Sequence, residues 1–500
     1  MDIYDDYDPF AFDDDDSPEG EKEGREDRRR YFEEEITRYR EEKRSEKDPK
    51  PRAFLNPDIL EELVDYCIEN EKFEEALHYS KLLTEYAPFS AQAWSRRGML
   101  EAHHGQFEEA ATSYEKGLAL DPTDPELSMN YGVVQEALGN TEDALVAFDR
   151  ALNVDPTNDE ALFSKAICLE KADRFKEAIS IFQYLSSKEE YTKDALYELG
   201  FCYDSLDDFD KAIAAYEAHL DLDPYNHNCW YNLGIVYNRM GSFNKAISCY
   251  DMALAIKDTF GSAWYNRGNA YANLGKLNEA IDSYKECLKH DAEDVSAWHN
   301  LGNAYEELQR WRDAIRCFSQ AIKFDPKHSE SYFGRGSCYD ALDHPRKALE
   351  DYDAALAINS KNSELWYAKA DALYNLGRRS DAILAYKMVL ELAPDDFEAW
   401  YDYGVTLLDE REFADAAAAF EQAAHLEPEW ADAHYLRAKA LYCNGDTLEA
   451  AVELLVAFKQ DPAKRTSFDT EFPGLGSETS FYEIENIVAS PKQDESEPAE

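Results

Sequence analysis

Apolar and polar positions in this chain recur every 34 residues, without insertion or deletion, from Pro57 to Lys464. Counting position 1 at Pro57 gives twelve repeats, and position 20 is alanine in every one, from Ala76 to Ala450. Within a repeat, small and apolar residues follow a helical period over two stretches, which predicts two helices joined by a short turn. A large group marks position 4, supplied by Trp94, Trp230, Trp264, Trp298, Trp366 and Trp400. Position 8 is glycine in eight repeats, among them Gly98, Gly234, Gly268 and Gly302. Glycine inside a helix costs roughly 1 kcal/mol relative to alanine, so its recurrence needs a packing reason. Positions 8 and 20 are therefore expected to let the two helices of a repeat approach closely. Glycine near position 15, as in Gly105, Gly241 and Gly275, ends the first helix. Proline at position 32, as in Pro122, Pro326 and Pro428, stops the second.

One helical hairpin cannot bury its own apolar face, whereas hairpins in a row share a continuous core in which each touches only its neighbours. The expected fold is all-α, a right-handed α-α superhelical solenoid of twelve helical hairpins over residues 57–464. Length alone would suggest about three domains at one per ~150 residues, and the period replaces that estimate. An acidic tail, 1–24, is expected to be disordered or to carry a short linear motif for a basic partner. A charged, solvated lead-in helix should fill 25–56. Beyond the repeats, 465–490 is rich in aromatic and aliphatic groups, and Thr479 to Val488 is expected to form a capping helix over the last repeat. Docking of that segment in the inner groove is the alternative. Residues 491–500 read as a second disordered tail.

The repeat resembles the tetratricopeptide repeat family, whose pattern is W-x2-L-G-x2-Y, then A-x3-F, and later P. Trp230, Leu233, Gly234, Tyr237, Ala246 and Tyr250 fit it, as do Trp298, Leu301, Gly302, Tyr305, Ala314, Phe318 and Pro326. The first repeat is weaker, as expected of a terminal unit, and the fourth has Ala166 for glycine and Glu190 for proline. That fourth repeat is a candidate for a local change of curvature.

Composition narrows the function. There are 104 acids against 52 Lys and Arg, a net charge of -52. A field of that sign repels nucleic acid and anionic membranes, so neither is expected as a partner. The repeats themselves hold -37 of it. No apolar run is long enough to span a membrane, and the first twenty residues are acidic where a secretory signal would be basic and then apolar. Nine cysteines without a CxxC pair suggest reduced thiols, and Cys168, Cys202, Cys338, Cys249 and Cys317 fall on packing positions. A cytoplasmic protein is expected. No HExxH, GxSxG, Walker or dinucleotide-binding motif occurs, and the His103–His104 pair has no companion ligands. The chain is read as a non-enzyme with no cofactor and no metal site.

Function is then expected on the displayed faces, with positions 2, 5, 6, 9, 12 and 13 facing an inner, concave wall. Position 5 is aromatic in most repeats, as in Tyr231 and Tyr265. These rings either pack between adjacent first helices or receive apolar side chains of a ligand. Position 6 gives Asn232, Asn266 and Asn300 in three consecutive repeats, position 9 adds Asn269 and Asn303, and Asn228, Asn238 and Asn273 lie nearby. Asparagine is a mediocre helix former, and its amide can meet both the N–H and the C=O of an extended chain. Two readings stand: a ladder holding a peptide backbone, or amide bonds from repeat to repeat. The resemblance favours the ladder, because the asparagines are similar to those of peroxisomal import receptors and the O-linked N-acetylglucosamine transferase, which hold extended peptides by the backbone. The family's carboxylate clamp, by contrast, needs lysines and an arginine that positions 5 and 9 of the asparagine-rich repeats lack here.

Acids at position 2, Glu126, Glu160 and Asp194 before the asparagines and Glu330, Glu364, Glu398 and Asp432 after them, favour a partner with basic flanks. The expectation is a protein-interaction scaffold that binds an extended peptide or protein segment in its groove. The alternative is a regulatory or assembly subunit of a larger complex acting through its convex face or its tails. The sequence leaves the oligomeric state open.

Overall fold

The computed structural model describes residues 18–44, 56–466 and 471–472. Among these residues every regular element is helical: twenty-five α-helices and a 3-10 turn at Pro462–Thr466. The chain forms two compact bodies, Met1–Cys229 and Trp230–Glu500, with the division inside the helix His227–Arg239. Each body is a stack of helix hairpins, so the fold is an all-α hairpin solenoid.

Repeat 2 shows why the sequence folds this way. Its first helix is Ala91–His103, and the Ser90 side chain accepts a hydrogen bond from the Ala93 N–H at 3.2 Å, which satisfies one of the orphan donors of the first turn. The helix ends where Gly105 takes φ 71°. There the Gly105 N–H donates to Ala102 O and the Gln106 N–H to Glu101 O, both at 2.9 Å, the paired closure that a left-handed residue permits. The second helix, Phe107–Leu120, then folds back along the first.

The turn conformation is common to all twelve repeats, glycine or not. Six position-15 residues are glycine, while Glu71, Asp173, Asp207, Gln309, Asp343 and Arg411 adopt φ between 56° and 66°. Position 20 is fully buried in every repeat.

The steric role of position 8 differs from the expectation. Its partner is the ring at position 24, not the alanine at position 20. A Cβ on Gly268 would lie 2.5 Å from Tyr284, and one on Gly302 would lie 2.6 Å from Phe318. The glycine makes room for a fully buried aromatic ring that fills the space between the two helices.

Position 4 serves the connections between repeats. The indole N–H donates across the preceding connection, from Trp94 to Pro88 O and from Trp298 to Ala292 O, each at 2.9 Å. The tryptophans pin the loop that joins successive repeats while their rings pack against the core.

Both ends of the repeats are covered. The lead-in helix runs Pro18–Arg44 and so starts ahead of residue 25, where the Ser-Pro-Glu sequence at 17–19 is a helix-start pattern. It is not solvated all round. Phe32, Ile36 and Tyr39 are buried against Leu60, Leu63 and Val64 of the first repeat, where Ser80 stands in place of the usual position-24 ring. Past the last repeat, Phe472 is buried between Tyr435 and Tyr442, with ring centroids 5.5 Å from each, and Lys439 Nζ pairs with Glu471 at 2.8 Å. The Thr479–Val488 cap, residues 1–17 of the acidic tail 1–24 and the tail 491–500 lie outside the described residues, whereas residues 18–24 are helical and not disordered as expected. Repeat 4 is irregular: its second helix, Phe175–Leu185, ends early where the Ser186 and Ser187 hydroxyls donate to Gln183 O and Tyr184 O at 2.9 and 2.7 Å.

Candidate peptide-binding wall

In the body Trp230–Glu500 the first helices of successive repeats, including Gly261–Asn273, Val295–Glu307, Ser329–Ala341, Ser363–Asn375 and Phe397–Asp409, stand side by side. Their positions 5, 6, 9 and 12 form one wall.

The asparagines meet the tyrosines there. Asn266 Nδ2 donates to the Tyr231 hydroxyl at 2.8 Å, and Asn300 Nδ2 donates to the Tyr265 hydroxyl at 3.0 Å. Asn300 Nδ2 also donates to Asn269 Oδ1 at 3.0 Å, and that oxygen accepts the Tyr284 hydroxyl at 2.7 Å. A position-6 amide thus reaches back to positions 5 and 9 of the preceding repeat. The Tyr231 and Tyr265 rings are half-buried, and Tyr231 packs on Phe260 at 4.8 Å. The amide and aromatic stripes form one repeat-to-repeat network.

Asn303 Nδ2 lies 3.1 Å from His299 Nε2. Burial, then neighbouring His328, lowers the His299 pKa to about 4, so the ring is neutral at pH 7 and its Nε2 can accept. Its Nδ1–H then points to Ser331 Oγ at 3.2 Å, and the Ser331 hydroxyl to His328 Nδ1 at 2.8 Å. Asn232 lies half-buried on the same wall, Asn273 is exposed at its helix end, and Asn228 is exposed in the other body.

An open cavity of roughly 400 Å³ sits among Asn238, Asn269, Asn273, Asn300, Asn303 and Glu307. A second, of roughly 460 Å³, is lined by Tyr231, Ser262, Tyr265, Asn266 and Asp294.

The wall's most charged part was not among the sequence candidates. Glu306, Asp340, Asp371 and Asp402 follow one another on four successive first helices. Each carboxylate accepts a hydroxyl: Ser337 to Glu306 at 2.8 Å, Tyr352 to Asp340 at 2.7 Å, Tyr386 to Asp371, and Tyr367 to Asp402. None takes part in an ion pair among the described residues. Burial pushes all four carboxyls above their ordinary range, Asp371 to about 6. By contrast Asp351, inside a hairpin, is matched by Arg335 at 2.6 Å. The signal in the sequence was an acid at position 12, 12, 9 and 6 of consecutive repeats, a shifting register that no single column shows. Among the position-2 acids, Glu330, Glu364 and Glu398 are exposed, as are Glu126, Glu160 and Asp194 in the other body. Asp432 is paired with Lys464.

In the body Met1–Cys229, Glu198 stands beside Glu170, and burial followed by the neighbouring carboxylate raises Glu198 to about 8. Cys202 Sγ approaches Glu170 Oε2 at 3.7 Å, and burial pushes that thiol far up. Eight cysteines are buried free thiols and Cys443 is an exposed one. Among the described residues no three His, Cys, Asp or Glu side chains are placed to hold a metal ion, and no helix is long and apolar enough to cross a membrane.

Comparison with known proteins places this geometry. Tetratricopeptide repeat models match residues 91–124, 261–294, 295–328, 341–402 and 401–463. The N-terminal tetratricopeptide repeats region of Psidin matches residues 131–256. No curated protein matches the chain. Among solved structures, the MamA protein is 24% identical over 35% of this chain and 96% of its own, with a TM-score of 0.33. YrrB, described as a tetratricopeptide repeat protein with an unusual peptide-binding site, is 21% identical over 39% of this chain and 97% of its own, TM-score 0.34. A tetratricopeptide repeat protein from Parabacteroides merdae is 19% identical over 49% of this chain and 97% of its own, TM-score 0.38.

Proposed function

Since the chain belongs to the tetratricopeptide repeat family, and is a scaffold of that kind instead of an enzyme, we propose that its first-helix wall holds an extended, basic protein segment. The segment lies on the wall of the body Trp230–Glu500. Asn232, Asn266 and Asn300, with Asn269, Asn303 and Asn273 beside them, meet its backbone, as the resemblance to peroxisomal import receptors and the O-linked N-acetylglucosamine transferase implies. Tyr231 and Tyr265 hold those amides in place and offer ring faces to its side chains. Asn228, in the body Met1–Cys229, is a separate candidate for a peptide contact. The partner is protein, is bound without membrane insertion, and is met in the cytoplasm.

One observation carries this reading. Glu306, Asp340, Asp371 and Asp402 are half-buried carboxylates with hydroxyl donors but no cation. A charge kept in a partly dry place without a counter-ion costs stability, so the arrangement makes sense for a wall that receives its cations from outside. Exposed Glu330, Glu364 and Glu398 add steering that weakens with salt.

The test is the combined variant E306Q/D340N/D371N/D402N. Neutral amides remove the desolvated charge and still accept the hydroxyls, so the variant should melt at or above the temperature of the parent. Its capture of a lysine-rich peptide such as fluorescein-labelled Gly-Ser-(Lys)4 should nevertheless fall by at least tenfold. Unchanged affinity in a stably folded variant would refute the wall as the binding surface.

A further inference from the structure

The cavity between the helices His227–Arg239, Gly261–Asn273 and Val295–Glu307 carries a finer specificity. From its hydrogen-bond inventory we infer that it receives an arginine side chain of the bound segment, an assignment that rests on the groove reading above.

An asparagine amide offers two N–H donors and one carbonyl acceptor. Both donors of Asn300 are used, on Tyr265 and on Asn269, and Asn303 donates to His299. The oxygen of Asn269 is filled by two donors, Tyr284 and Asn300. The network therefore ties up both donors of Asn300 and one of the two on Asn303, and leaves their carbonyl oxygens over.

A third acceptor is more telling. Asn238 Oδ1 is buried and has no donor, although Asn238 lines the same cavity. An unmet buried acceptor costs on the order of 1–3 kcal/mol, and an incoming N–H would recover it. The fourth acceptor is charged: Glu307 is exposed at the cavity, and no ion pair engages it among the described residues. The amide N–H groups of Asn269 and Asn273 remain for a main-chain carbonyl of the same ligand.

Three amide oxygens and one carboxylate around a space of roughly 400 Å³ call for a cation with many divergent donors. A guanidinium has five N–H groups in a planar fork and a modest hydration cost, whereas an ammonium has three donors on a strongly hydrated point charge. Tyr284, Leu277, Ala272 and Ala304 supply the apolar sides of the cavity, which suits the methylene stem of arginine. A free carboxylate or a phosphate would find amide N–H groups there but would also meet the charge of Glu307 and the three amide oxygens, which disfavours it.

The experiment uses the full chain and three fluorescein-labelled Gly-Ser dodecapeptides that end in Lys-Lys-Lys, with arginine, citrulline or lysine at the centre. The arginine peptide should bind about tenfold tighter than either of the others, the worth of one charge-assisted hydrogen-bond set. E307Q and N238L should each erase that preference, bringing the arginine peptide down to the affinity of the citrulline peptide. N238L removes an unmet acceptor, so it should melt no lower than the parent. Equal affinity for the arginine and lysine peptides, or an arginine preference that survives both variants, overturns the assignment while peptide binding itself stands. Failure of all three peptides to bind overturns it together with the groove reading.

Discussion

Replacing Gln309 with glycine should stabilise the body that contains it, and replacing Gly275 with glutamine should destabilise the same body by a similar amount. Both residues occupy the turn between the helices of a repeat, at φ 58° and 71°. The hydrogen bonds of the turn around Gln309 come from the backbone: Gln309 N–H to Glu306 O at 2.7 Å and Arg310 N–H to Tyr305 O at 2.8 Å. The Gln309 side chain is exposed, so glycine there loses no packing. A residue with a Cβ pays roughly 1–2 kcal/mol in the left-handed region. Glycine returns roughly 0.5–1 kcal/mol of that through its freer unfolded chain. The net gain for Gln309→Gly is therefore between roughly 0 and 1.5 kcal/mol, with a central value of about 0.75 kcal/mol. A Cβ on Gly275 would meet nothing within 4 Å, so the loss for Gly275→Gln is conformational alone and of the same size. Repeat arrays need not melt as one cooperative unit, so urea titration by circular dichroism should be joined by hydrogen exchange resolved over residues 266–284 and 300–318. Opposite shifts of the two variants, each centred on its own repeat, are expected. Shifts of the same sign, or none in either variant, would show that the left-handed turn is not the energetic determinant described here.

Three further outcomes are expected. Gly268→Ala places a Cβ 2.5 Å from Tyr284 and should cost about 1–3 kcal/mol in a urea titration, the lower end if the ring can shift, since repeat 10 buries Ala370 and Tyr386 at the same two positions. Glu198 has a folded pKa raised from 4.5 to about 8, so the stability associated with its protonated form is complete below pH 4.5 and is lost as pH rises through about 8. Glu198→Gln keeps a neutral group there, and its Tm should fall less over that window than the parent's. Ellman's reagent should titrate Cys443 in the native protein and the eight buried thiols only after denaturation.

Much of the fold was legible because each determinant is written twelve times. The alanine at position 20 and the glycine at position 8 stood out against any one repeat's noise, and both sit where helices touch. The partner of position 8 was misjudged because proximity along the hairpin suggests position 20, whereas the ring at position 24 reaches back under the glycine. The lead-in helix was read as solvated because Phe32, Ile36 and Tyr39 are few among many charges; they suffice to bury one face on the incomplete first repeat. Helix caps at position 34 of several repeats, such as Asp124, Asn158 and Asp294, are equally legible as Asp or Asn just ahead of each first helix. The carboxylate row was hidden for a different reason. Its members change column from repeat to repeat, so periodic alignment separates residues that the stack of helices brings together.

The same slot explains why single columns mislead about the wall. Position 6 reaches back to positions 5 and 9 of the repeat before it, whatever residue it carries. In repeat 2 the slot holds Arg96, which meets Asp65 at 2.9 Å and Glu61 at 2.7 Å. In repeats 7 and 8 it holds Asn266 and Asn300, which meet tyrosine hydroxyls, and in repeat 11 it holds Asp402, which accepts from Tyr367. The hairpins pack alike around a cation, an amide and a carboxylate, so the fold places almost no demand on this slot and it is free to set the chemistry of the wall. An asparagine there can be read only with the residues 35 and 31 places earlier, as Asn266 with Tyr231 and Asn300 with Asn269. Read in such pairs, the amides are not loose ligands waiting for a peptide. Their donors are largely committed to the neighbouring repeat, and what remains for a partner is the carbonyl oxygens and the unpaired carboxylates that adjoin them. That remainder, acceptors without cations, is the property by which the wall would select a basic segment.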